Sequence, residues 1–247
     1  MPAPAAMAIV LAAGKGTRMK SELPKVLVPV AGRPMIRYVI DALRSAGVER
    51  IVVVVGYRAD LVRAELAGLP GVEFADQTEQ LGTGHAVMMC RQQLAAHDGP
   101  VVVVAGDSPM LQADSVAALI AESTARQAAC LLGTVRRDDP TGYGRIIRNA
   151  AGDFTGIVEE KDATPEQRAV NEVNVSTYVF SASELLSALD QLRADNSQRE
   201  YYITDCPAIL LAAGKPVAAL KVLKPREALS INSPEELAQV EKVMSGA

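Results

Sequence analysis

The sequence predicts an α/β fold built on a doubly wound, mixed but mostly parallel sheet. Two observations predict it. AIVLAAG, RIVVVVG and PVVVVAGD are continuous apolar runs, as strands buried on both faces of a parallel sheet require. Helix-length amphipathic segments alternate with these runs, and that β-α-β-α order is Rossmann-like, with ligands expected outside the carboxyl ends of the strands.

Met7 to Ala13 reads as the first strand. Met35, Ile36, Val39, Ile40 and Leu43 then form one apolar helical face, closed by Gly47. A second helix follows Ala59, and a third runs from about His85 to Ala96. Beyond roughly residue 140 the pattern changes. GRIIRNAAGDFTGIVEE holds an Asn-Ala-Ala-Gly-Asp turn between two short strand-like runs and reads as a hairpin. EVNVSTYVF is another strand, with a helix from about Ala182. YYITDCPAILLAAG reads as helical to Gly214, and VAALKVL returns as a strand. Ser233 is placed to cap a last helix, with Pro234 at its first position. No long linker, repeat or low-complexity tract interrupts the chain, so residues 1–247 are expected to form one domain.

Composition narrows the function classes. Acidic and basic residues nearly balance, with formal net charge −4, which disfavours a general electrostatic nucleic-acid binder. The apolar runs Ile51 to Val55 and Val101 to Val104 are far shorter than the roughly 20 residues of a membrane span. MPAPAAMAIVLAAG has no basic region ahead of its apolar stretch, which argues against a secretory signal. Cys90, Cys130 and Cys206 are isolated and odd in number, as expected for buried, reduced thiols of a cytoplasmic protein. His85 and His97 cannot form an H-E-x-x-H metal site, and no G-x-S-x-G elbow supports a serine nucleophile.

LAAGKGTRM, Leu11 to Met19, carries the first chemical signal. It fails as a dinucleotide fingerprint, because Gly14 and Gly16 supply two glycines and Met19 stands where the third belongs. It fails as a P-loop, because Lys15 is followed by Gly16. Lys15, Arg18, Lys20, Lys25 and Arg33 nevertheless put five cations within nineteen residues, against the single Glu22. The functional reading is a triphosphate cradle whose glycines let backbone N–H groups approach an anion. A solvated turn with scattered lysines is the alternative. Ala105-Gly106-Asp107 ends the strongest buried strand, where an aspartate suits Mg²⁺ shared with substrate phosphates or serves as a cap before Ser108-Pro109. Gln77 offers both a donor and an acceptor, as base-edge recognition needs; a polar loop leading to a helix at Thr83 is the plainer reading.

With Leu23-Pro24-Lys25, QTEQLGTGHA, AGD, PTGYGRI, IVEEKDA, EVN and a late INS, these segments occur in the order seen in the sugar-phosphate nucleotidyltransferases. Across essentially its whole length the chain resembles the pyrophosphorylase domain of the bacterial N-acetylglucosamine-1-phosphate uridylyltransferases. The resemblance implies the nucleotide-diphospho-sugar transferase type of fold, with a nucleotide-binding half to about residue 140, a sugar-binding half to about 230 and a C-terminal metal-ligand segment and helix. UTP and a sugar 1-phosphate would be the substrates and Mg²⁺ the cofactor, with neither nucleic acid nor membrane as partner and self-association left open.

The same resemblance assigns the site. Leu11, Ala12, Ala13, Gly14, Gly16 and Thr17, with Gln77, Gly82, Thr83, Ala105 and Gly106, would bind the nucleotide. Arg18 and Lys25 would face the phosphates as catalytic cations, with Asp107 as the third catalytic residue. Asp107 and Asn232 would hold Mg²⁺, while Gly144, Glu159 and Asn174 would contact the sugar. Read alone, Glu159 is an ordinary strand residue and the two asparagines are turn or capping residues; their ordered co-occurrence favours the functional reading.

Two departures stand out. Family members commonly read Asn-Thr-Gly where this chain has Asn174-Val175-Ser176, which bears on sugar-pocket shape and N-acetyl preference more than on the reaction class. The bifunctional bacterial enzymes continue into an acetyltransferase β-helix, whose hexapeptide repeats do not occur here, so the chain is expected to be monofunctional or one domain of a longer protein. The competing functions are transfer to another sugar 1-phosphate or from another nucleotide, such as glucose 1-phosphate or dTTP, and a catalytically silent nucleotide-sugar sensor. A cytidylyltransferase shares the opening loop, but the VEEKD and EVN segments weigh against it.

Overall fold

In the computed structural model, which describes residues 5–19 and 21–246, a nine-stranded sheet grows outward from its central strand β1 (Met7–Ala12). Lys20 of the cationic loop, the first four residues of the N-terminal stretch and Ala247 lie outside the described residues, and the side chain of Thr17 is likewise not described. A two-stranded ribbon, β2 (Pro29–Val30) and β3 (Arg33–Pro34), precedes α1 (Met35–Ser45). There follow β4 (Arg50–Val55), α2 (Ala59–Leu66), β5 (Val72–Asp76), α3 (Thr83–Met88), α4 (Arg91–Ala95) and β6 (Pro100–Ala105). Next come α5 (Ala113–Arg126), β7 (Cys130–Arg136), the hairpin β8 (Gly144–Arg148) and β9 (Phe154–Val158), and the short α6 (Pro165–Arg168). Last are β10 (Glu172–Ser181), α7 (Ala182–Leu189), α8 (Cys206–Ala212), β11 (Val217–Leu220) and α9 (Pro234–Ser245).

The main strand order is β11-β7-β10-β6-β1-β4-β5, with β8 pairing to β10 and β9. β6, β1, β4 and β5 run parallel, β11 is parallel to β7, and β10 is antiparallel to both β6 and β7. The sheet is therefore mixed and mostly parallel. Its two faces explain the uninterrupted apolar runs: Ile9, Val52, Val54, Val101 and Val103 enter one core, and Val10, Ile51, Val53, Val102 and Val104 the other. Alternation along a strand sends neighbours to opposite faces, and both faces are covered. A third cluster joins Met19, Val30, Met35, Met110, Ile231 and Val240, so the C-terminal segment is packed beside the opening loop.

Three expectations are corrected. The helix expected from His85 to Ala96 starts at Thr83 and divides in two, because the Met89 and Cys90 N–H groups donate back three residues, to Ala86 and Val87, and tighten the turn. YYITD is not α-helical: Tyr201 N–H donates to Leu81 O at 2.8 Å and Tyr201 O accepts from Gly84 N–H at 2.7 Å, drawing the backbone away from an α-helical ladder. The helix begins only at Cys206, after one 3₁₀ turn. The strand VAALKVL stops at Leu220, where pairing with β7 ends. The sequence reading also passed over α5 and β7. The 149–153 hairpin turn and the Ser233 cap are as expected, with Ser233 Oγ accepting from Glu236 N–H at 3.3 Å.

Where β7, β8 and β10 meet, Glu172 accepts from Arg148 Nη2 and Thr134 Oγ1, each at 2.7 Å. Burial alone would push its carboxyl up, but Arg148 and Thr134 together hold it below the usual carboxylate range. With a depressed folded-state value, the stability it contributes is present above the unfolded-state pKa and is lost as pH falls through the folded one. Glu172→Gln is expected to lower the neutral-pH melting temperature and to flatten its decline on acidification through the carboxylate range. An acid limb identical to that of the unsubstituted chain would contradict this.

All three cysteines are free and buried, as expected, and burial pushes the Cys90 thiol up to about 12. Among the described residues no helix is long and apolar enough to cross a membrane.

Candidate active site

The carboxyl ends of β1, β4 and β6 lie in register, with Leu11 beside Val54 and Ala105. The loop after β1 therefore opens at the sheet edge beside Asp107. It closes in a 3₁₀ turn over Thr17–Met19, too short to act as a helix dipole. Gly16 has φ +66, and a Cβ there would stand 2.5 Å from Lys25 Cβ. The glycine thus lets the Lys25 stem lie against the loop, which aims its ammonium at the strand ends.

That ammonium pairs with Asp107 Oδ2 and donates to Asn232 Oδ1 at 2.8 Å. Arg18 Nη2 donates to the same Asn232 oxygen at 2.9 Å. Two residues far apart in sequence, Asp107 and Asn232, thus converge on one lysine. Asn232 is held from behind: its Nδ2 donates to Ser230 Oγ at 3.0 Å, which pairs with the Tyr143 hydroxyl at 3.0 Å. Lys15 and Arg33 do other work. Lys15 lies over the Tyr57 ring, 5.3 Å from its centroid, and Arg33 pairs with Asp41 at 2.6 Å.

Two clefts adjoin at this cluster. The first, about 360 Å³, is lined by Leu11, Ala12, Ala13, Gly14 and Gly16 on one side and Gln77, Gly82 and Thr83 on the other. The second, about 190 Å³, is lined by Gly144, Glu159, Asn174 and Asn232. Lys25, Ala105, Asp107 and Ser176 line both. The sequence-derived residues therefore separate into two groups that share one wall. Gly106 lines neither cleft; a Cβ there would stand 3.0 Å from Leu11 O and 3.2 Å from Val26 Cγ1, so it is a packing glycine beneath the loop. Thr17 lies within the 3₁₀ turn, and Arg18 reaches the cluster through Asn232.

In the first cleft Gln77 is buried, and its Nε2 donates to Gly82 O at 3.1 Å and lies 3.1 Å from His85 Nδ1. Its Oε1 has no protein donor among the described residues and remains an acceptor for a ligand N–H. Gly82 has φ +108, and a Cβ would meet Tyr201 O at 2.5 Å, so glycine is required for the 196–205 segment to dock here.

In the second cleft Glu159 accepts from Thr204 Oγ1 at 3.0 Å, and burial pushes its carboxyl above the usual range. Arg145, almost wholly buried, pairs with Glu160 at 2.6 Å, while Glu160 also accepts from Gly142 N–H at 3.1 Å. This clamp fixes the Gly142–Gly144 wall. Sequence reasoning missed the clamp, the Tyr143–Ser230 support and the position of Ser176; the arginine following TGYG was the available signal for the first.

Among the described residues no cluster of three His, Cys, Asp or Glu side chains could cage a metal. Asp107 Oδ2 and Asn232 Oδ1 nonetheless both contact the Lys25 ammonium, so two hard oxygens already converge on one cation. That donor set suits a Mg²⁺-type ion that takes its other ligands from phosphates and water.

Comparison with known proteins identifies the family and the fold. Residues 8–205 match the MobA-like NTP transferase domain. The "Bifunctional protein GlmU" of Pelotomaculum thermopropionicum is 46% identical over 237 residues, covering 96% of this chain and 51% of that protein. The "Bifunctional protein GlmU" of Solibacter usitatus is 44% identical over 244 residues, 98% of this chain and 52% of its own length. The chain thus spans about half the length of the curated relatives it matches. Among solved structures, a UDP-glucose pyrophosphorylase complexed with UDP-glucose superposes with TM-score 0.79 at 16% identity, over 98% of this chain and 99% of that one. A putative glucose-1-phosphate thymidylyltransferase from Bacillus anthracis gives 0.78 at 20% identity, over 97% and 95%. These two likenesses bear on the fold alone, and they place the chain among α/β nucleotidyltransferase folds.

Proposed function

The chain belongs to the MobA-like NTP transferase family, and from that membership we propose that it transfers uridylyl from UTP to N-acetylglucosamine 1-phosphate, releasing pyrophosphate. One observation carries this reading: the two clefts meet at Lys25 and Asp107, so a donor nucleotide in one and an acceptor phosphate in the other would touch across that wall. The GlmU relatives and the ordered motifs support the choice of substrates.

The larger cleft takes the nucleotide, with Gln77 Oε1 accepting the ring N–H of uracil and the Leu11 to Gly14 backbone beside it. The smaller takes the sugar, with Glu159 and Asn174 on its hydroxyls and the clamped Gly144 as its floor. A phosphate oxygen of the sugar 1-phosphate is anionic near neutral pH and attacks the α-phosphorus without a general base. The protein's work is to align the two substrates and to offset their charge. Arg18 and Lys25 supply fixed positive charge, and Asn232 holds both of them in place. Asp107 and Asn232 would hold Mg²⁺, which when bound polarises the phosphates and screens their charge. No thiol or imidazole is needed, in keeping with cysteines buried in the core and a His85 engaged by Gln77.

Pyrophosphate release, measured across a panel of nucleoside triphosphates and sugar 1-phosphates with and without Mg²⁺, tests this reading. The expected result is Mg²⁺-dependent turnover, greatest with UTP and N-acetylglucosamine 1-phosphate. Faster turnover with glucose 1-phosphate or dTTP would overturn the substrate assignment, and no turnover with any pair would make the chain a sensor.

A further inference from the structure

Ser176 occupies the left-handed region of backbone space, with φ +57. Of the five non-glycine residues with positive φ among those described, Ala31, Arg58, Gln127 and Arg199 sit in turns or at helix ends. Ser176 alone lies inside a strand, at the irregularity where the register of β10 against β7 shifts between Asn174 and Tyr178. A side chain is unfavourable there and glycine would relieve the strain, so a serine at this position calls for a compensating role. Ser176 also lines both clefts, on the wall it shares with Lys25 and Asp107.

The hydrogen bonds around it fix its backbone. Ser176 N–H donates to Asn174 Oδ1 at 3.2 Å, which sets the orientation of the Asn174 amide. The Asn174 Nδ2 is thereby turned to the Tyr178 hydroxyl and donates to it at 2.7 Å. Tyr178 is fully buried, so this bond ties Asn174 to the core. Ser176 itself lies on the seam between the clefts, beside Lys25 and Asp107, where its hydroxyl adds a short polar group to the strand backbone.

We propose that Ser176 is a substrate contact, whose hydroxyl donates to a phosphate oxygen of the sugar 1-phosphate where the two clefts meet. This rests on the uridylyl-transfer reading above. Asn174 acts on it as a positioning residue: its side-chain oxygen accepts from the Ser176 backbone N–H, and its Nδ2 is anchored on the buried Tyr178 hydroxyl, so the irregular stretch of β10 is held in place on the shared wall. The chemical class recognised is a phosphorylated sugar, whose anionic oxygen is a strong acceptor.

Steady-state kinetics of Ser176→Ala and Ser176→Gly, with each substrate varied in turn, together with thermal melts, test the proposal. Both variants should raise the KM for N-acetylglucosamine 1-phosphate about tenfold, the scale of one hydrogen bond to a charged group. The KM for UTP should stay within about twofold, because the nucleotide keeps its own contacts. Ser176→Gly should also melt about 2 °C higher as the strain is relieved, so its kinetic loss cannot come from unfolding. Unchanged KM values for the sugar phosphate in both variants, or a rise confined to UTP, would overturn the proposal. Turnover by the unsubstituted chain with unaffected variants sinks this inference alone, whereas no turnover by the unsubstituted chain overturns the uridylyl-transfer reading and this inference with it.

Discussion

Asp107→Ala is expected to lower kcat by about a thousandfold while leaving the melting temperature nearly unchanged. The catalytic loss follows from position. Asp107 stands just beyond the end of β6 on the wall shared by both clefts, and its carboxylate is the ion-pair partner of Lys25. Removing it takes away one of the two oxygens that converge on a cation and leaves Lys25 held by Asn232 alone. The fold should tolerate this because Asp107 is partly exposed and its side chain joins none of the three apolar clusters. Steady-state turnover and a thermal melt on the same preparation check both halves. Activity within about tenfold of the unsubstituted chain would remove Asp107 from the reaction centre.

Lys25→Met should cost about a hundredfold or more in kcat and, in the absence of nucleotide, tighten Mn²⁺ binding about tenfold. The first effect reflects loss of the fixed charge between the two clefts. The second has a separate origin: the Lys25 ammonium contacts both Asp107 Oδ2 and Asn232 Oδ1, so it competes with a divalent ion for the same oxygens. Methionine keeps the apolar stem that packs beside Gly16 while removing the charge. Mn²⁺ titration followed by electron paramagnetic resonance reads the second effect independently of turnover. Equal Mn²⁺ affinity in the two proteins would mean that Lys25 does not guard those oxygens.

The parts of this molecule that the sequence displayed are those governed by local periodicity. Ile51 to Val55 and Val101 to Val104 could be read as doubly buried strands because every residue in them is apolar, and each is buried in the structure. Ser233-Pro234 could be read as a helix start because capping is a short-range hydrogen bond. Non-local pairing was less visible. YYITD carries a plausible helical pattern, yet Tyr201 is drawn into backbone bonds with Leu81 and Gly84, more than a hundred residues away. The same limit applied within the site. Resemblance supplied Lys25, Asp107 and Asn232 separately, but that the lysine bridges the other two is a fact of tertiary packing through Ile231, Met19 and Val240. Gly106 belonged to a motif and proved to be a packing position. Ser176 was visible as a departure from the family pattern; its left-handed backbone and its place on the shared wall required the fold.

Direct transfer between adjoining clefts, with no covalent intermediate on the protein, is most directly tested by the stereochemistry at the α-phosphorus. UTP carrying a sulfur of defined configuration at that phosphorus should yield UDP-N-acetylglucosamine with the configuration inverted, as a single in-line displacement across the Lys25–Asp107 wall requires. Retention of configuration would reveal two successive displacements through a protein nucleophile and would contradict the mechanism proposed for this site.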